Sequence, residues 1–185
     1  MGRAKGELSG LDLRISNSER LVRISRELGL VTVEVGEGIT SADIKVDDTA
    51  REGPLSAIVY GLQSIGDLGS VDRVLVLGCD LYLLSKEALE AFVEYSVDKT
   101  AVVMVGGVEN WSIICLKAPD LSRVFTLFAQ GARRLSVVFL GLDGLCRVSA
   151  ADLGDFPEET FVDFDTSEEY LRRFSRQQGI SPPTS

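Results

Sequence analysis

Histidine is absent from this 185-residue chain, and its absence excludes several kinds of active site. A Ser-His-Asp or Cys-His nucleophile system cannot be built without it. Zinc and iron sites that depend on imidazole ligands are excluded as well. Acid–base chemistry would fall to carboxylates, lysines, tyrosines or cysteines. The composition therefore favours a reaction that depends on positioning and a metal ion, with little proton transfer.

Cysteine and positive charge are also scarce. Cys79, Cys115 and Cys146 stand far apart without a CxxC pair, so neither a zinc ribbon nor a redox motif is predicted. They are typical of small buried hydrophobes in a reducing compartment. The formal charge of −9 argues against a nucleic-acid partner and an anionic membrane surface. Because the sequence shows neither a signal-peptide core nor ~18 consecutive apolar residues, we expect a cytoplasmic protein without a membrane partner.

What is present has the pattern of an α/β domain. Hydrophobic residues make up 45% of the chain, and short β-rich runs alternate with segments of helical periodicity. The sequence predicts helices near 16–28, 53–65, 85–93, 119–130 and 133–140, and strands near 30–35, 43–46, 73–77, 100–105, 111–116 and 146–149. This alternation predicts a mostly parallel sheet with helices on both faces, in which 111–116 follows a glycine turn and runs antiparallel. We expect one domain over 1–178 and a flexible tail over 179–185.

The most informative segment is an unbroken apolar run that is followed by a lone carboxylate. Val74 to Leu77 are typical of a buried strand, and Asp80 follows after Gly78 and Cys79. Ligands of open α/β sheets bind beyond the carboxyl ends of the strands, where Asp80 would face a substrate or hold Mg²⁺. The same residue is equally typical of a loop cap. Spacing alone leaves both interpretations open.

Three motifs follow one another in a fixed order: Asp47, the Gly53-Pro54-Leu55 helix start, and the strand that ends in Cys79-Asp80. Together they resemble the molybdenum cofactor guanylyltransferases of the nucleotidyltransferase superfamily. The sequence QGARRL at 130–135 is similar to that family's A-G-E-R-R-L segment, and FVDFDT at 161–166 is similar to its closing F-V-N-x-N-T motif. The resemblance implies a single-domain Rossmann-like nucleotidyltransferase fold. It also implies transfer of GMP from GTP to the terminal phosphate of molybdopterin, with release of pyrophosphate.

The resemblance assigns a role to each matching residue. Asp80 would hold the Mg²⁺ cofactor, which offsets charge on the triphosphate. Asp47 would contact the nucleotide, and Gly53 would let the backbone approach it. Lys5, in the segment M-G-R-A-K, stands at the family's phosphate-binding lysine. Transfers of this kind need mainly positioning and electrostatic stabilisation, which agrees with a chain that lacks histidine.

Departures from the family pattern leave alternatives open. The strand and glycine-rich loop that precede M-G-x-x-K in the family are not in the sequence, so we expect Met1 to be an internal methionine. The alternative is an inactive homologue that acts as a binding protein. Asp163 and Asp165 replace asparagines of the family, either as an extra metal ligand or as caps of a last helix, which the sequence predicts after the N-cap Thr166.

The acceptor and the nucleotide are the least determined features. Arg133 and Arg134 would contact an anionic acceptor or cover a solvated helix face. Both ends of the chain are also similar to the phospholactate guanylyltransferases. Another phosphorylated acceptor, or another nucleoside triphosphate, therefore remains an alternative.

Overall fold

The computed structural model describes residues 15–48 and 52–164, and its strands form two sheets. The strands are β1 (Val33–Gly36), β2 (Ile44–Asp47), β3 (Arg73–Leu77), β4 (Ala101–Val105), β5 (Val108–Lys117) and β6 (Cys146–Ser149). β1 and β2 pair in parallel. The larger sheet has the order β3-β5-β4-β6, in which β4 and β6 are parallel and β5 is antiparallel to both of its neighbours. The strands β3, β4 and β6 thus point one way, and the reversed strand is the one that the sequence predicted to be antiparallel.

The first four helices of the described ranges begin within one residue of their predicted starts. They are α1 (Asn17–Glu27), α2 (Pro54–Ser64), α3 (Lys86–Tyr95), α4 (Ala118–Ala129), α5 (Leu135–Phe139) and α6 (Ala150–Leu153). The Ser16 and Ser85 side chains accept hydrogen bonds from the first turns of α1 and α3, as N-caps do. The segment predicted to be helical from Arg133 begins at Leu135, because Arg134 keeps an extended backbone. None of the helices in the described ranges is both long and apolar enough to cross a bilayer.

Helices cover both faces of the larger sheet, as predicted. Alternate residues of β5 enter two separate cores: Ile113 and Cys115 pack with α1, α3 and α6, whereas Ile114 and Leu116 pack with α2, α4 and α5. These four side chains are buried, since successive residues of a strand point to opposite faces. A strand buried on both faces fixes the positions of its neighbours, and one of these is β3.

The helix α2 packs against both sheets. Its Leu55 and Leu62 are buried in the core that lines one face of the larger sheet. On its other side Gly61 lies against β1, where an added Cβ atom would stand 3.0 Å from Val35 Cγ2. The small residue therefore lets α2 approach β1 closely, and α2 joins the β1–β2 pair to the rest of the domain.

Candidate functional site

Asp80 lies just beyond the carboxyl end of β3, where the sequence predicted it. The Gly78 N–H donates to the Ser112 carbonyl oxygen at 2.7 Å, which extends the pairing of β3 and β5 by one step. A turn follows in which the Tyr82 N–H donates to the Asp80 carbonyl oxygen at 3.0 Å. Asp80 is half-buried, and its Oδ1 atom is shielded from solvent.

A bulge in β5 brings a hydroxyl group close to this turn. Val102 of β4 faces Ile114, but the next residue, Val103, faces Asn110, so residues 111–113 of β5 bulge out of the ladder. The Ser112 N–H donates to the Asn110 Oδ1 atom at 2.8 Å within this bulge. Bulges commonly redirect side chains beside active sites, and this one places Ser112 next to Gly78.

Gly78 leaves the space that Asp80 and Ser112 share. A Cβ atom added to Gly78 would lie 2.5 Å from Asp80 Oδ1 and 3.0 Å from Ser112 Oγ. Both oxygen atoms thus lie next to the position that the Cβ atom of any larger residue would occupy. We conclude that glycine is required here for space, at a backbone conformation open to other residues.

The closing segment adds a second carboxylate. Asn110 is buried, and its Nδ2 atom donates to the Phe161 carbonyl oxygen at 2.6 Å. The Phe164 N–H donates to the Asp80 carbonyl oxygen at 3.2 Å. Between these anchors Asp163 is exposed, and its Oδ2 atom accepts a hydrogen bond of 3.4 Å from Ser112 Oγ. The structure therefore brings Asp80, Ser112 and Asp163 together.

A second region of the site lies at the end of the β1–β2 pair. A shallow cavity of about 300 Å³ opens there, lined by Gly36, Glu37, Gly38, Lys45, Val46 and Asp47. Asp47 is the last residue of β2 and is exposed. The Lys45 Nζ atom donates to the Gly38 carbonyl oxygen at 3.0 Å, which fixes one wall of the cavity.

Carboxylates hold the loop that borders this cavity. The Glu34 carboxylate accepts hydrogen bonds from the Ile39 N–H, the Thr40 N–H and the Thr40 hydroxyl at 2.7–3.0 Å. Partial burial disfavours the charged form of Glu34, but the bonds from Thr40 and Ile39 outweigh it and hold its pKa below the usual value. Asp43 binds the Thr32 N–H and hydroxyl in the same way, and these bonds lower its pKa as well.

Gly53 leaves the start of α2 open. It precedes the helix with a φ of +101°, a conformation that favours glycine. Apart from its two chain neighbours, no atom of the described ranges lies within 4 Å of a Cβ added there. The approach of the nucleotide to Gly53 stays a prediction. Asp47 and Gly53 lie at the two ends of the β2–α2 connection. In the sequence this connection is separate from the segments that carry Asp80, Ser112 and Asp163.

Other candidate residues have different positions. Lys5 and Asp165 lie outside the described residues, as does the predicted tail over 179–185. Arg133 stands in a loop, with its guanidinium carbon 4.4 Å above the Phe128 ring and its Nη1 atom donating to the Phe128 carbonyl oxygen at 3.0 Å. The helix-face alternative does not describe this position, because the helix begins two residues later, whereas contact of Arg133 with an anionic acceptor stays a prediction.

The cysteines and acidic side chains give no further site within the described residues. Cys115 is buried, and burial raises the pKa of its thiol, whereas Cys79 and Cys146 are half-buried. Across 15–48 and 52–164, no three Cys, Asp or Glu side chains converge to hold a metal ion. A cation at Asp80 would therefore bind to a small set of protein ligands.

Sequence reasoning did not identify every residue of this site. Ser112 was not among the predicted site residues, because the bulge that orients it depends on how β5 pairs with β4. Asn17 and Arg20 of α1 also bind the turn that carries Asp80 (the Asp80 turn), although more than 60 residues separate them from it in the sequence. The one available signal was an arginine beside the apolar residues of an amphipathic helix.

Comparison with solved structures identifies the fold. No protein-family model and no curated relative matches the sequence. The chain is similar to the crystal structure of molybdopterin-guanine dinucleotide biosynthesis protein A from Archaeoglobus fulgidus, with a TM-score of 0.69 and 14% identity over 97% of this chain and 93% of that one. A protein from Aquifex aeolicus is also similar, with a TM-score of 0.63 and 16% identity over 80% of this chain and 78% of that one. The chain therefore shares the single-domain, Rossmann-like α/β fold of these proteins, and this fold is the one that its motifs predicted.

Proposed function

We propose that this protein is a Mg²⁺-dependent nucleotidyltransferase. It would move GMP, or another nucleoside monophosphate, from a nucleoside triphosphate to a phosphorylated acceptor, with molybdopterin as the first candidate. An acceptor phosphate oxygen would attack the α-phosphorus, the α–β phosphoanhydride bond would break, and pyrophosphate would leave. The observation that supports this most is the grouping of Asp80, Ser112 and Asp163 at the carboxyl end of β3, in a fold shared with a molybdopterin-guanine dinucleotide biosynthesis protein.

The donor atoms at Asp80 fit a magnesium ion. Two carboxylates and a hydroxyl group are hard oxygen donors, and Mg²⁺ usually takes one or two carboxylates together with substrate phosphate oxygens and water. Asp80 and Asp163 would hold the ion, with Asp80 binding through Oδ2 because Oδ1 is shielded from solvent. When bound, Mg²⁺ offsets the negative charge of the triphosphate at the reacting phosphorus.

The cavity at the β1–β2 end suits the base of the nucleotide. Asp47 and Glu37 present carboxylates, which only accept hydrogen bonds when ionised. Guanine offers two adjacent donors, its N1–H and its 2-amino group, whereas adenine offers only one amino group. The acidic lining therefore supports GTP over ATP. The exposed backbone at Gly53 and the predicted phosphate contact at Lys5 would serve the triphosphate.

The decisive experiment measures pyrophosphate release and product formation from GTP, Mg²⁺ and molybdopterin. We expect Asp80→Ala to lower the rate by at least about 100-fold with an unchanged circular dichroism spectrum, because it removes the central metal ligand. The matched control is Asp72→Ala, at the exposed opposite end of the same strand. Full activity of Asp80→Ala would refute the metal assignment.

Two alternative functions predict different results in the same assay. Transfer to phospholactate but not to molybdopterin would identify the second family that the chain resembles. Binding of GTP without any transfer would favour a binding protein over an enzyme. Thermal stabilisation by each of the four nucleoside triphosphates with Mg²⁺ measures the base preference independently of the acceptor.

A further inference from the structure

Two side chains near the start of α1 donate hydrogen bonds to backbone carbonyl oxygens on both sides of Asp80. Asn17 binds the carbonyl oxygen of Cys79, the residue before Asp80, at 2.8 Å. Arg20 binds the carbonyl oxygen of Leu81, the residue after it, at 2.7 Å. We infer that Asn17 and Arg20 are positioning residues that set the direction of the Asp80 carboxylate, and this inference rests on the proposed role of Asp80 in holding the cation.

Asn17 is placed to act as a rigid donor. It is fully buried at the start of α1, where its Nδ2 atom donates to Cys79 and its Oδ1 atom accepts from Arg20 Nε at 2.9 Å. Because both ends of the amide are bound, its side chain has one orientation. A buried polar group with satisfied hydrogen bonds specifies local geometry, and here it specifies the Cys79 peptide group.

Arg20 uses the whole fork of its guanidinium group. Its Nη2 atom donates to the Leu81 carbonyl oxygen and its Nη1 atom to the Leu84 carbonyl oxygen, while Nε donates to Asn17. A lysine ammonium is a single point charge on a flexible stem, so it cannot reproduce this fixed three-way geometry. The turn from 79 to 84 is therefore fitted to an arginine at this position.

Helix geometry explains why these two residues act together. Positions three apart share a helix face, so Asn17 and Arg20 point the same way. Leu21, the next residue, is buried in the core and fixes the rotation of α1 about its axis. Arg23, one turn further, is exposed and pairs with Glu19 at 2.7 Å. Arg20 and Arg23 thus lie on the same helix, but Arg20 binds the turn that carries Asp80, whereas Arg23 pairs with Glu19.

We expect substitution of Asn17 or Arg20 to weaken the binding of the cation and to displace it. Partners that orient metal ligands commonly change metal affinity or activity by about 10–100-fold when they are altered. We expect Arg20→Lys and Asn17→Ser to raise the half-saturating Mg²⁺ concentration about tenfold and to lower kcat. The KM for GTP at saturating Mg²⁺ should change less than about twofold, because the base cavity lies at the end of β1 and β2.

Binding of Mn²⁺ alone, followed by electron paramagnetic resonance of the free ion, tests the inference without any transfer assay. Arg20→Lys and Asn17→Ser should bind Mn²⁺ at least about fivefold more weakly than the wild type, whereas Arg23→Lys should match the wild type. Circular dichroism establishes folding for each variant. If Arg20→Lys does not fold, the measurement on Asn17→Ser, which keeps Arg20 and its bonds to Leu81 and Leu84, tests the inference by itself.

The outcomes separate the inference from the proposed function. Equal Mn²⁺ affinity in the wild type and both folded variants would overturn the positioning role. Weakened Mn²⁺ binding in the variants, combined with no transfer by the wild type, would support the positioning role and refute the enzyme. Weakened binding, a shifted Mg²⁺ dependence and an unchanged KM for GTP would support both.

Discussion

The turn that carries Asp80 and the loop that borders the β1–β2 cavity are held by side chains of largely opposite hydrogen-bonding character. Donors hold the first: amide and guanidinium groups of Asn17, Arg20 and Asn110 bind backbone carbonyl oxygens at or near the turn. Carboxylates are prominent in the second, since Glu34 and Asp43 accept from backbone N–H groups and hydroxyls, although Lys45 and Arg26 also donate to carbonyl oxygens of this loop.

This difference has consequences for strength and for pH. The donors at Asp80 do not titrate in the ordinary range, and Asn17 and Asn110 are buried. The carboxylates at the cavity hold the loop only while they are ionised, and they lie nearer the solvent. We infer that the Asp80 turn is the rigid end of the site, whereas the cavity loop is its adjustable and acid-sensitive end.

The strongest test of the rigid end is Gly78→Ala. The added Cβ atom would lie 2.5 Å from Asp80 Oδ1 and 2.9 Å from Ser112 Cβ, so either the turn or the bulge must move. A displacement of about 1 Å at reacting groups costs on the order of 100-fold in rate, and we expect a loss of that size in transfer. Steady-state kinetics with GTP and Mg²⁺ measures it.

Gly69→Ala is the matched control for this substitution. A Cβ atom at Gly69 would meet only the exposed Asp67 carboxylate, at 3.1 Å. We expect nearly unchanged activity from it. Wild-type activity in Gly78→Ala would show that the Asp80 turn is adjustable, and the contrast between the two regions would fail.

The next largest effect is expected for Asn110→Ala. This substitution leaves the buried Phe161 carbonyl oxygen and the partly buried Ser112 N–H without their partner. Each unsatisfied buried group costs roughly 1–3 kcal/mol, so we expect a loss of about 2–4 kcal/mol in the free energy of unfolding. Denaturant titration measures it, with the exposed Ser122→Ala as a control expected to stay within about 0.5 kcal/mol. A loss below about 1 kcal/mol would contradict this role of Asn110.

The rigid end also shows how far sequence reasoning reaches. The run from Val74 to Leu77 predicted β3 and the position of Asp80, because an apolar run followed by a polar residue is a local signal. Gly53-Pro54 predicted the start of α2 for the same reason. The Gly106-Gly107 turn predicted the reversal between β4 and β5.

What sequence reasoning missed depends on pairing between distant segments. The bulge at 111–113 arises from the register of β5 on β4 and from the bond between Asn110 and Phe161, which are 51 residues apart. The hydrogen bonds from α1 to the turn that carries Asp80 connect residues that are 61 to 64 positions apart in the sequence. Neither feature has a period or a composition that marks it along the chain, because tertiary contacts decide both.

Asp47→Asn tests whether the adjustable end reads the base. Exchange of one carboxylate oxygen for an amide donor would place that donor opposite a donor of guanine. We expect the affinity for GTP to fall about tenfold, which corresponds to ~1.4 kcal/mol, while the affinity for ATP changes little. Calorimetry with Mg²⁺ and each nucleotide measures this, and Asp98→Asn, exposed after α3, is the control. An equal loss for GTP and ATP would show that Asp47 contributes charge and not base recognition.

The smallest effect is expected for Glu34→Gln, and its pH dependence is the informative part. A glutamine has one acceptor oxygen in place of two, so one of the N–H groups of Ile39 and Thr40 loses its partner, and we expect a loss of about 1 kcal/mol in unfolding free energy at pH 7. Because hydrogen bonds in the folded state hold the pKa of Glu34 below its ordinary value of 4.5, its contribution is complete above that pH and is lost as the pH falls further. The stabilities of the wild type and Glu34→Gln should therefore converge in urea titrations at about pH 3, and the control Glu37→Gln, an exposed position on the same loop, should stay within about 0.5 kcal/mol of the wild type at pH 7. A gap for Glu34→Gln that is equally large at pH 3 and pH 7 would mean that the charge of Glu34 does not hold the loop, and the acid sensitivity assigned to this end of the site would be wrong.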